Sequence, residues 1–313
     1  MEVLQPHYDR LIAAARQVGP VTVAVAHPCD RSALEAALDA AALGLITPIL
    51  VGPKARITRA AEEAQLDISA LTLIDTEHSH ASAARAVQLV REGQAAALMK
   101  GSLHTDELMG AVVSTATGLR TARRLSHCFV MDVPGRAEPL IITDAAVNIN
   151  PTLDDKVDIV QNAIDLAQIL RFDPVKVAIL AAVETVSSKM PSTIDAAALC
   201  KMADRGQITG ALIDGPLAMD NAIDPAAAAI KNLKSPVAGQ ANVLLAPDLE
   251  AGNMLAKSLT FMAGASAAGI VLGARVPVIL TSRADTVQAR LASCAVAVLV
   301  AHSKLSSARV IEG

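Results

Sequence analysis

The stretch "VTVAVAHPCDRSALEAALDAAALGLITPILVG", residues 21–52, decides the fold class of this sequence. Its first aliphatic run, residues 21–27, is rich in valine and predicts a buried strand. Residues 30–44 repeat apolar side chains three and four positions apart, which predicts a helix. A second aliphatic run at residues 47–52 predicts another strand. A strand, a helix and a strand in this order predict a parallel βαβ unit.

The same alternation of short aliphatic runs and longer amphipathic stretches continues along the chain. The runs are apolar on both faces, as strands of a buried parallel sheet are. We therefore predict the α/β fold class, with doubly wound parallel sheets and helices on both faces. Residues 247–274, rich in small side chains, are predicted as one helix. Further strands are predicted at residues 71–75, 96–101, 128–133, 139–144, 176–183, 210–215, 241–247 and 276–282.

The composition limits the class of protein. The chain has 313 residues, enough for two domains of ordinary size, and 52% of them are hydrophobic. With no Trp, one Tyr and three Phe, the core must be built from Ala, Val, Leu and Ile. No apolar run reaches the roughly 18 residues of a membrane span, and the N-terminal residues lack the order of a signal peptide. We therefore expect a cytoplasmic protein.

Charge and cysteine usage argue against further classes. A net charge of −4 and the scarcity of aromatic rings provide neither the basic field nor the stacking platforms of a nucleic-acid binder. The four cysteines, Cys29, Cys128, Cys200 and Cys294, are far apart and form no C-x-x-C pair. We expect buried free thiols rather than disulfides, and we predict no metal site.

Polar segments follow many of the predicted strands. In parallel α/β sheets, ligands bind beyond the carboxyl ends of the strands. Because these segments carry hydroxyl, amide, acidic and basic side chains, they predict one large polar cleft. They are "AHPCD" (26–30), "KGSLHTDE" (100–107), "TDAAVNINPT" (143–152), "ETVSSKMPS" (184–192), "DGPLAMDNA" (214–222), "PDLEAGN" (247–253) and "TSRADT" (281–286).

The segment "TSRADT" has two interpretations. Ser282 and Asp285 have the spacing of a capping box, which would make them a common helix-start device. A cap does not explain Arg283, because a cation is unfavourable at the positive end of a helix unless an anion is bound there. A helix N-terminus combined with an arginine fork favours a phosphate site. The cap and the anion site can coexist.

The other polar segments have alternatives of the same kind. Lys100 either binds a ligand or is a solvated charge at a strand end, and Thr105 is equally well explained as a helix cap. Gly101 would let the backbone approach a ligand closely. His104 is a lone histidine, a residue that is more often structural. Asp214 either meets a ligand or organises a turn.

The segment "NINPTLDD" combines amides with helix punctuation. Thr152 and Asp155 have the spacing of a second capping box. Asn148 and Asn150 lie between a predicted strand and this box, where their amides can meet a substrate. The chain contains no G-x-x-x-x-G-K-[ST], G-x-G-x-x-G, G-x-S-x-G or H-E-x-x-H motif. From the residues alone, we interpret the protein as an α/β enzyme that binds a small phosphorylated ligand.

Taken together, the polar segments resemble those of the phosphate acetyltransferase/phosphate butyryltransferase family. They occur in family order and cover nearly the whole chain. "NINPTLDDKVDI" and "TSRAD" are more similar to the butyryl branch and to the acyltransferase portion of fusions with an enoyl-CoA hydratase domain, which we do not expect here. The matching segments are "MKGSLHTDELMGAVV", "SHCFVMDVPG", "LIITDAAVNINPTLDDKVDIVQNAIDLA", "VAILAAVETVSSKMPST", "GALIDGPLAMDNAI" and "VLLAPDLEAGNMLAKSLTFMAGASAAGIVLGARVPVILTSRADT".

The resemblance implies reversible acyl transfer between coenzyme A and inorganic phosphate. Coenzyme A is then a substrate, and no other cofactor, no metal and no covalent acyl-enzyme is expected. The implied fold is similar to isocitrate and isopropylmalate dehydrogenases, with two α/β domains flanking a cleft, and the implied assembly is a homodimer. We expect the domains at residues 1–145 with 274–313, and at residues 146–273.

The resemblance also implies residue roles. Arg283 would neutralise phosphate charge, and Ser282 would donate a hydrogen bond to the developing oxyanion. The acetyl branch carries its proposed base carboxylate further along the following helix, where this chain has Ala289. We therefore assign Asp285, the nearest acid, as the general base. The substrate-binding residues are expected to be Lys100, Gly101, His104, Thr105, Asn148, Asn150, Asp214 and Asn253.

Two alternative functions remain open from the sequence. A dehydrogenase of the same fold superfamily would need a cluster of metal-binding aspartates and a nicotinamide site, and the sequence shows no such cluster. A non-catalytic regulator that binds acyl-CoA is favoured by Ala289 and opposed by the intact Ser282–Arg283 pair.

Overall fold

The structure is a computed structural model that describes residues 6–280 and 285–311. The chain divides into two units, Met1–Arg123 with Ala268–Gly313 and Arg124–Ala267. The described elements, in chain order, are α1 (Pro6–Val18), β1 (Val21–Ala26), α2 (Arg31–Ala42), β2 (Ile46–Gly52), α3 (Lys54–Ala64), β3 (Thr72–Asp75), α4 (Ser79–Arg91), β4 (Ala97–Lys100), α5 (Thr105–Val113), β5 (Ser126–Asp132), β6 (Leu140–Thr143), α6 (Leu153–Ile169), β7 (Lys176–Leu180), α7 (Pro191–Asp204), β8 (Leu212–Leu217), α8 (Met219–Ile223), α9 (Pro225–Ile230), β9 (Val243–Leu245), α10 (Leu249–Met262), β10 (Ser266–Leu272), β11 (Val278–Ile279) and α11 (Val287–Ile311).

The first unit contains the βαβ unit predicted from residues 21–52. β1 and β2 pair in parallel, with Val21 opposite Ile46, and α2 connects them. The helix begins after Asp30, whose carboxylate accepts a hydrogen bond from the backbone N of Ala33 at 2.8 Å. The strand order in this unit is β3-β2-β1-β4-β11-β10. The predicted α/β fold class is confirmed.

The core of the first unit is aliphatic, as the composition required. Val23 and Val25 of β1 are fully buried, and so are Val296 and Val298 of α11. α11 packs against α1 and α2. Short, branched side chains stack closely between helix and sheet, which compensates for the shortage of aromatic rings.

In the second unit the strand order is β5-β6-β9-β7-β8. β6, β9, β7 and β8 run parallel to their neighbours, whereas β5 is antiparallel to β6. α6 begins after Thr152, whose hydroxyl accepts from the backbone N of Asp155 at 3.2 Å. The backbone N of Thr152 in turn donates to the Asp155 carboxylate at 2.9 Å. The capping box predicted at these two residues is confirmed.

The expectation of purely parallel sheets is wrong at two pairs. β5 is antiparallel to β6, and β10 is antiparallel to β11. The connections, residues 133–139 and 273–277, are too short for the helical crossover that a parallel pair needs. Two consecutive strands joined by so few residues can pair only in the antiparallel sense.

The single helix predicted over residues 247–274 is also wrong. α10 ends at Met262, and residues 266–272 form the buried strand β10. Gly264, with a φ of +69°, provides the left-handed conformation that commonly follows a helix C-terminus. The run "SAAGIVL" has small residues at helical and at strand spacing alike, so burial between neighbouring elements decides for the strand.

The boundaries between the units differ from the predicted ones. The first lies after Arg123 rather than after residue 145, and the second lies after Ala267 rather than after residue 273. The reason for the first difference is the β5–β6 pair. β6 pairs in parallel with β9 of the second unit, and β5 pairs with β6. Both β5 and β6 therefore belong to the second unit.

Two properties concern the whole described chain. Among the described helices, none is both long and apolar enough to cross a membrane. Within residues 6–280 and 285–311, no group of three His, Cys, Asp or Glu side chains is arranged to hold a metal ion. The four cysteines are free thiols, as predicted; Cys128 and Cys294 are buried, whereas Cys29 and Cys200 are only half-buried.

Candidate active site

Four of the predicted substrate-binding residues form the corner between β4 and α5. Lys100 is the last residue of β4, and its ammonium donates to the carbonyl oxygens of Gly101 and Leu103 at 3.3 Å each. His104 is the N-cap residue of α5, and it is exposed. Thr105 is the first helical residue. The interpretation of Thr105 as the helix cap is therefore wrong, because the cap position lies one residue earlier.

Gly101 has no room for a side chain. A Cβ atom there would lie 2.4 Å from the carbonyl oxygen of Ala26 and 2.6 Å from that of His27. The backbone N of Gly101 donates to the Ala26 oxygen at 2.9 Å. The glycine thus allows the end of β4 to pass against the end of β1. Backbone packing occupies the position where the sequence predicted the approach of a ligand.

His27 and Ser102, which the sequence analysis did not select, connect the corner after β1 with this one. His27 has a positive φ of 55°, and its buried Nδ1 lies 3.0 Å from Ser82 Oγ. Ser102 Oγ donates to the His27 carbonyl at 2.8 Å and accepts from the Cys29 backbone N at 3.1 Å. Burial, with the nearby Arg56, lowers the pKa of His27 and favours the neutral imidazole.

The corner before α11 carries the residues predicted to be catalytic. Ser282 and Arg283 lie outside the described residues, whereas Asp285 is described and half-buried. α11 begins directly after Thr286, whose Oγ1 accepts from the backbone N of Ala289 at 3.1 Å. Ser282, the first residue of the predicted capping box, lies outside the described residues; the described cap of α11 is Thr286, and Asp285 directly precedes it.

The position of the acid in the acetyl branch is occupied by a buried methyl group. Ala289 is only 9% exposed. In the described first turn of α11 there is no carboxylate. Asp285, which precedes the helix, remains the acid assigned to the role of general base.

In the second unit, Asn148 is buried and its side chain is engaged by protein partners. Its amide nitrogen donates to the Leu125 carbonyl at 2.9 Å and to the Asp144 carboxylate at 2.5 Å. Its Oδ1 accepts from Arg124 Nε at 2.6 Å. Asp144 also accepts from the backbone amides of residues 146–148. This network holds the loop after β6 in place, so the geometry supports a structural role for Asn148.

The other predicted residues of this unit fall into two groups. Asn150 is exposed on the same loop as Asn148. Asn253, in α10, donates to the Ala145 carbonyl at 3.0 Å and so adjoins this loop. Asp214 lies in β8, which is separated from β6 by β9 and β7. The structure therefore brings the three asparagines to one corner and leaves Asp214 apart.

His127 of β5 is a buried titratable residue. Its Nδ1 atom has no hydrogen-bond partner among the described residues. Its ring packs edge-on against that of Phe129, with the two ring centroids 4.4 Å apart. Burial lowers the pKa of His127 to about 4, and the attraction of Asp144 opposes this shift. Its position inside a buried strand, not its sequence context, reveals this environment.

A groove of about 1220 Å³ lies between α4 and α5 in the first unit. Asp75, Glu77, Arg85, Asp106 and Glu107 are among the residues that line it. None of the predicted site residues that the structure describes lines this groove. The candidate site is therefore defined by the strand ends and not by this groove.

Comparisons with known proteins identify the family of this chain. A family model described as "Phosphate acetyl/butaryl transferase" matches residues 79–298. The phosphate acetyltransferase of Rhizobium meliloti is 64% identical over 294 residues, which cover 94% of this chain and 93% of the relative. The phosphate butyryltransferase of Clostridium beijerinckii is 41% identical over 298 residues, or 95% of this chain and 99% of the relative.

Solved structures support the fold. A branched-chain phosphotransacylase from Enterococcus faecalis V583 superposes with a TM-score of 0.79 at 30% identity, covering 90% of this chain and 99% of its own. A 4-hydroxythreonine-4-phosphate dehydrogenase from Klebsiella pneumoniae has a TM-score of 0.56 at 12% identity, covering 90% of this chain and 99% of its own. The second likeness shows the fold alone, and it confirms the expected relation to a dehydrogenase-like α/β fold.

Proposed function

The chain belongs to the phosphate acetyl/butyryl transferase family, and on this premise we propose that it preferentially transfers an acetyl group between coenzyme A and inorganic phosphate. The observation that carries the choice of acyl group is the identity of 64% to an acetyltransferase against 41% to a butyryltransferase. Both matches span more than nine tenths of the chain. The similarity of single motifs to the butyryl branch is outweighed by the identity over the chain.

The proposed reaction proceeds by direct transfer. A phosphate oxygen attacks the thioester carbonyl carbon, the carbon–sulfur bond breaks, and coenzyme A leaves as a thiolate that takes up a proton. In the reverse direction the thiol gives its proton to a base, and the thiolate attacks the carbonyl of the acyl phosphate and releases phosphate. Holding both anionic substrates in line supplies much of the acceleration. The proposal needs no metal and no cofactor other than coenzyme A as substrate.

We assign the charge-bearing roles to the corner before α11. Arg283 neutralises the phosphate, Ser282 donates a hydrogen bond to the oxyanion, and Asp285 takes the thiol proton. Asp285 directly precedes Thr286, the cap of α11, and so lies at the start of this helix. The positive end of α11 adds a favourable potential for an anion beside Arg283.

The corner between β4 and α5 is proposed to bind substrate. β4 runs parallel to both β1 and β11, so the carboxyl ends of these neighbouring strands share one edge of the sheet. Lys100 and the exposed His104 lie at that edge and present polar groups to an anionic substrate. Gly101 and Thr105 belong to the same corner and shape its backbone.

The remaining predicted substrate-binding residues are proposed to act in different ways. Asn150 is exposed, and Asn253 adjoins the same loop, so their amides support contact with coenzyme A. Asn148 is proposed to act indirectly, by shaping that loop through Asp144. Asp214, on β8, is kept as the outermost candidate.

We further propose a homodimer that forms through the outer face of α10. Met254, Phe261 and Met262 are 62%, 73% and 86% exposed. The chain has three phenylalanines, so exposing one of them to this extent favours an interface. Glu250, Met254, Lys257 and Phe261 are three or four residues apart and therefore share one helix face.

The charges on this face favour a second copy as its partner. In an antiparallel two-fold pairing centred near Met254, Glu250 of one copy lies beside Lys257 of the other, and the reverse contact forms by symmetry. The Met254 side chains of the two copies then meet between two ion pairs, and Phe261 of each copy extends the apolar contact beyond them. Because the face is complementary to itself, no other partner is needed to bury it.

Acyl-CoA and phosphate also support the proposal of a cytoplasmic location. Both are intracellular metabolites. The free, buried thiols of Cys128 and Cys294 are consistent with a reducing compartment.

The function is tested by phosphate-dependent release of thiol from acetyl-, propionyl- and butyryl-CoA. We expect the highest kcat/KM with acetyl-CoA. Arg283→Ala should raise the KM for phosphate roughly tenfold to a hundredfold, since a charge-assisted bond to an anion contributes ~1.5–3 kcal/mol. Arg283→Lys should recover only part, because an ammonium cannot form the planar fork.

The matched control is Arg275→Ala, which removes an exposed arginine from the same unit. It should leave the KM for phosphate unchanged. Absence of thiol release with all three acyl-CoA substrates would contradict the proposed function, and wild-type kinetics of Arg283→Ala would contradict the proposed site.

A further inference from the structure

The corners after β1, β4 and β11 adjoin each other in the first unit. β1 pairs in parallel with β4, and β4 pairs in parallel with β11. Two described chain segments, residues 27–30 and residues 101–104, therefore leave the sheet side by side. An active site built on such turns requires that their relative positions be held within fractions of an ångström.

Ser102 fixes the first of these corners to the second. Its backbone N donates to the His27 carbonyl at 2.9 Å, and its hydroxyl donates to the same oxygen at 2.8 Å. The hydroxyl also accepts from the backbone N of Cys29 at 3.1 Å. The positive φ of His27 turns its carbonyl towards Ser102. The Ser102 hydroxyl thus bonds both a carbonyl oxygen and a backbone N–H group of the turn after β1.

Arg290 ties the start of α11 to the start of α2, which follows the first corner. Arg290 lies in the first turn of α11 and is only 8% exposed. Its guanidinium donates to the carbonyl oxygen of Ser32, in the first turn of α2, at 3.3 Å. Its backbone N bonds the Thr286 carbonyl at 3.1 Å. A cation is expensive to bury and is disfavoured near a helix N-terminus. The aliphatic neighbours of α11 would bury a leucine at lower cost, so stability alone does not explain this arginine.

A second polar contact sets the axial position of the same helix. The hydroxyl of Ser293, which is 2% exposed, accepts from the backbone N of Gly269 in β10 at 3.0 Å and donates to the Ala289 carbonyl at 2.8 Å. Arg290 and Ser293 thus attach the first two turns of α11 to two different elements. Apolar packing alone resists sliding weakly, whereas two directional hydrogen bonds define the register of the helix.

We propose that Ser102 and Arg290 are positioning residues for acyl transfer. Together they hold the corners after β1 and β4 and the start of α11 as one frame, and in this proposal the frame positions the catalytic residues that precede α11. Neither residue touches substrate in this proposal. It rests on the proposed function, because it concerns the placement of Ser282 and Arg283.

The test compares four variants by kcat, by the KM for acetyl-CoA and by melting temperature. Arg290→Gln and Ser102→Ala should lower kcat roughly tenfold to a hundredfold, the range that a small misplacement of reacting groups produces. The KM for acetyl-CoA should stay within about threefold, since the variants leave the binding side chains in place. Arg290→Lys should recover part of kcat, because one ammonium can still reach the Ser32 carbonyl.

The matched control is His302→Gln on the same helix. His302 Nε2 lies 3.0 Å from the Gly19 carbonyl, so it also attaches α11 to another segment of the first unit, the turn between α1 and β1. This contact lies several helical turns beyond the start of α11. We expect this variant to lower the melting temperature and to leave kcat within about twofold. A merely structural role of Arg290 predicts equal effects on kcat at both positions.

Several outcomes would overturn the inference. One is wild-type kcat in Arg290→Gln, and another is an equal loss of kcat in His302→Gln. If Arg290→Gln does not fold, Ser102→Ala decides, and an unchanged kcat in that variant overturns the frame. Arg283→Ala distinguishes failure of the proposed site from failure of this inference. Wild-type kinetics of Arg283→Ala would contradict the proposed site. A kinetic defect in Arg283→Ala, together with wild-type kcat in the Ser102 and Arg290 variants, would refute only this inference.

Discussion

At the start of α11, we propose that capping and catalysis are separated on neighbouring side chains. Thr286 accepts the hydrogen bond from the Ala289 backbone N, a duty that the sequence assigned to Ser282. The threonine and the serine are four positions apart, and each has a hydroxyl suited to capping. The described helix begins at Val287, directly after Thr286.

A pair of variants measures this separation. Thr286→Ala should lower the free energy of unfolding by about 1 kcal/mol, the usual cost of losing a helix cap. Ser282→Ala should leave stability nearly unchanged and lower kcat roughly a hundredfold, as the loss of an oxyanion donor does. Unfolding in urea and steady-state kinetics give both quantities. A stability loss in Ser282→Ala without a kinetic defect would show that its hydroxyl serves structure.

The buried His127 predicts a pH dependence of stability. Burial lowers its pKa from 6.5 to about 4, so the folded protein binds this proton less readily than the unfolded chain. The contribution of the neutral histidine is complete above pH 6.5 and is lost as the pH falls through 6.5 towards 4. It amounts to at most about 3 kcal/mol.

The check is urea unfolding at pH 7 and pH 4.5. His127→Gln cannot titrate, so its free energy of unfolding should fall less between these pH values than that of the wild type. His80→Gln, at an exposed histidine, is the matched control and should fall as the wild type does. Equal pH dependence in all three proteins would show that His127 is not a source of acid sensitivity.

At the scale of elements, two glycines near the β4–α5 corner differ in the space around them. Gly101, in the corner, has no room for a side chain, whereas Gly110, within α5, has. Gly101→Ala would place a methyl group 2.4 Å from a backbone oxygen, which cannot withdraw as a flexible side chain would. We expect a loss of about 1–3 kcal/mol in the free energy of unfolding, the typical cost of overpacking. Gly110, within α5, has no described atom within 4 Å of an added Cβ.

Gly110→Ala is therefore the control for Gly101→Ala. It should stabilise the protein by about 0.5–1 kcal/mol, because alanine loses less backbone entropy than glycine in a helix. Thermal unfolding of both variants gives the comparison. If Gly101→Ala were as stable as the wild type, the β1 and β4 corners would have to be further apart than the structure shows.

At the scale of the whole molecule, the outer face of α10 determines the proposed assembly. Glu250→Lys and Lys257→Glu should each weaken the dimer, because each change sets like charges beside each other at both symmetric contacts. The double variant exchanges the charges and should restore it. Sedimentation velocity over a concentration series measures the dissociation constant.

Phe261→Asp is the companion variant, because it removes an exposed aromatic ring from the proposed interface and adds one negative charge to each copy. It should give monomers whose far-UV circular dichroism is unchanged. The matched control is Val113→Asp, which changes an exposed apolar residue of the first unit. Failure of the double charge exchange to restore the dimer would refute the antiparallel pairing of α10.

Much of this protein was determined by its sequence alone. The alternation of aliphatic runs and amphipathic stretches predicted the α/β class, and residues 21–52 form the βαβ unit that their periodicity indicates. Local chemistry also determined the box at Thr152 and Asp155. These features depend on residues close together in the chain, where spacing and side-chain type are sufficient. Family membership followed from the ordered set of polar corners.

Only the tertiary structure decided the features that depend on distant partners. Residues 266–272 became a strand because neighbouring elements bury them, and β5 joined the second unit because β6 pairs with β9. The network of Asn148 and the ties made by Ser102 and Arg290 join atoms that are far apart in the chain. Hydrogen bonds and burial of this kind are set by the approach of whole elements, and no local pattern of residues carries that information.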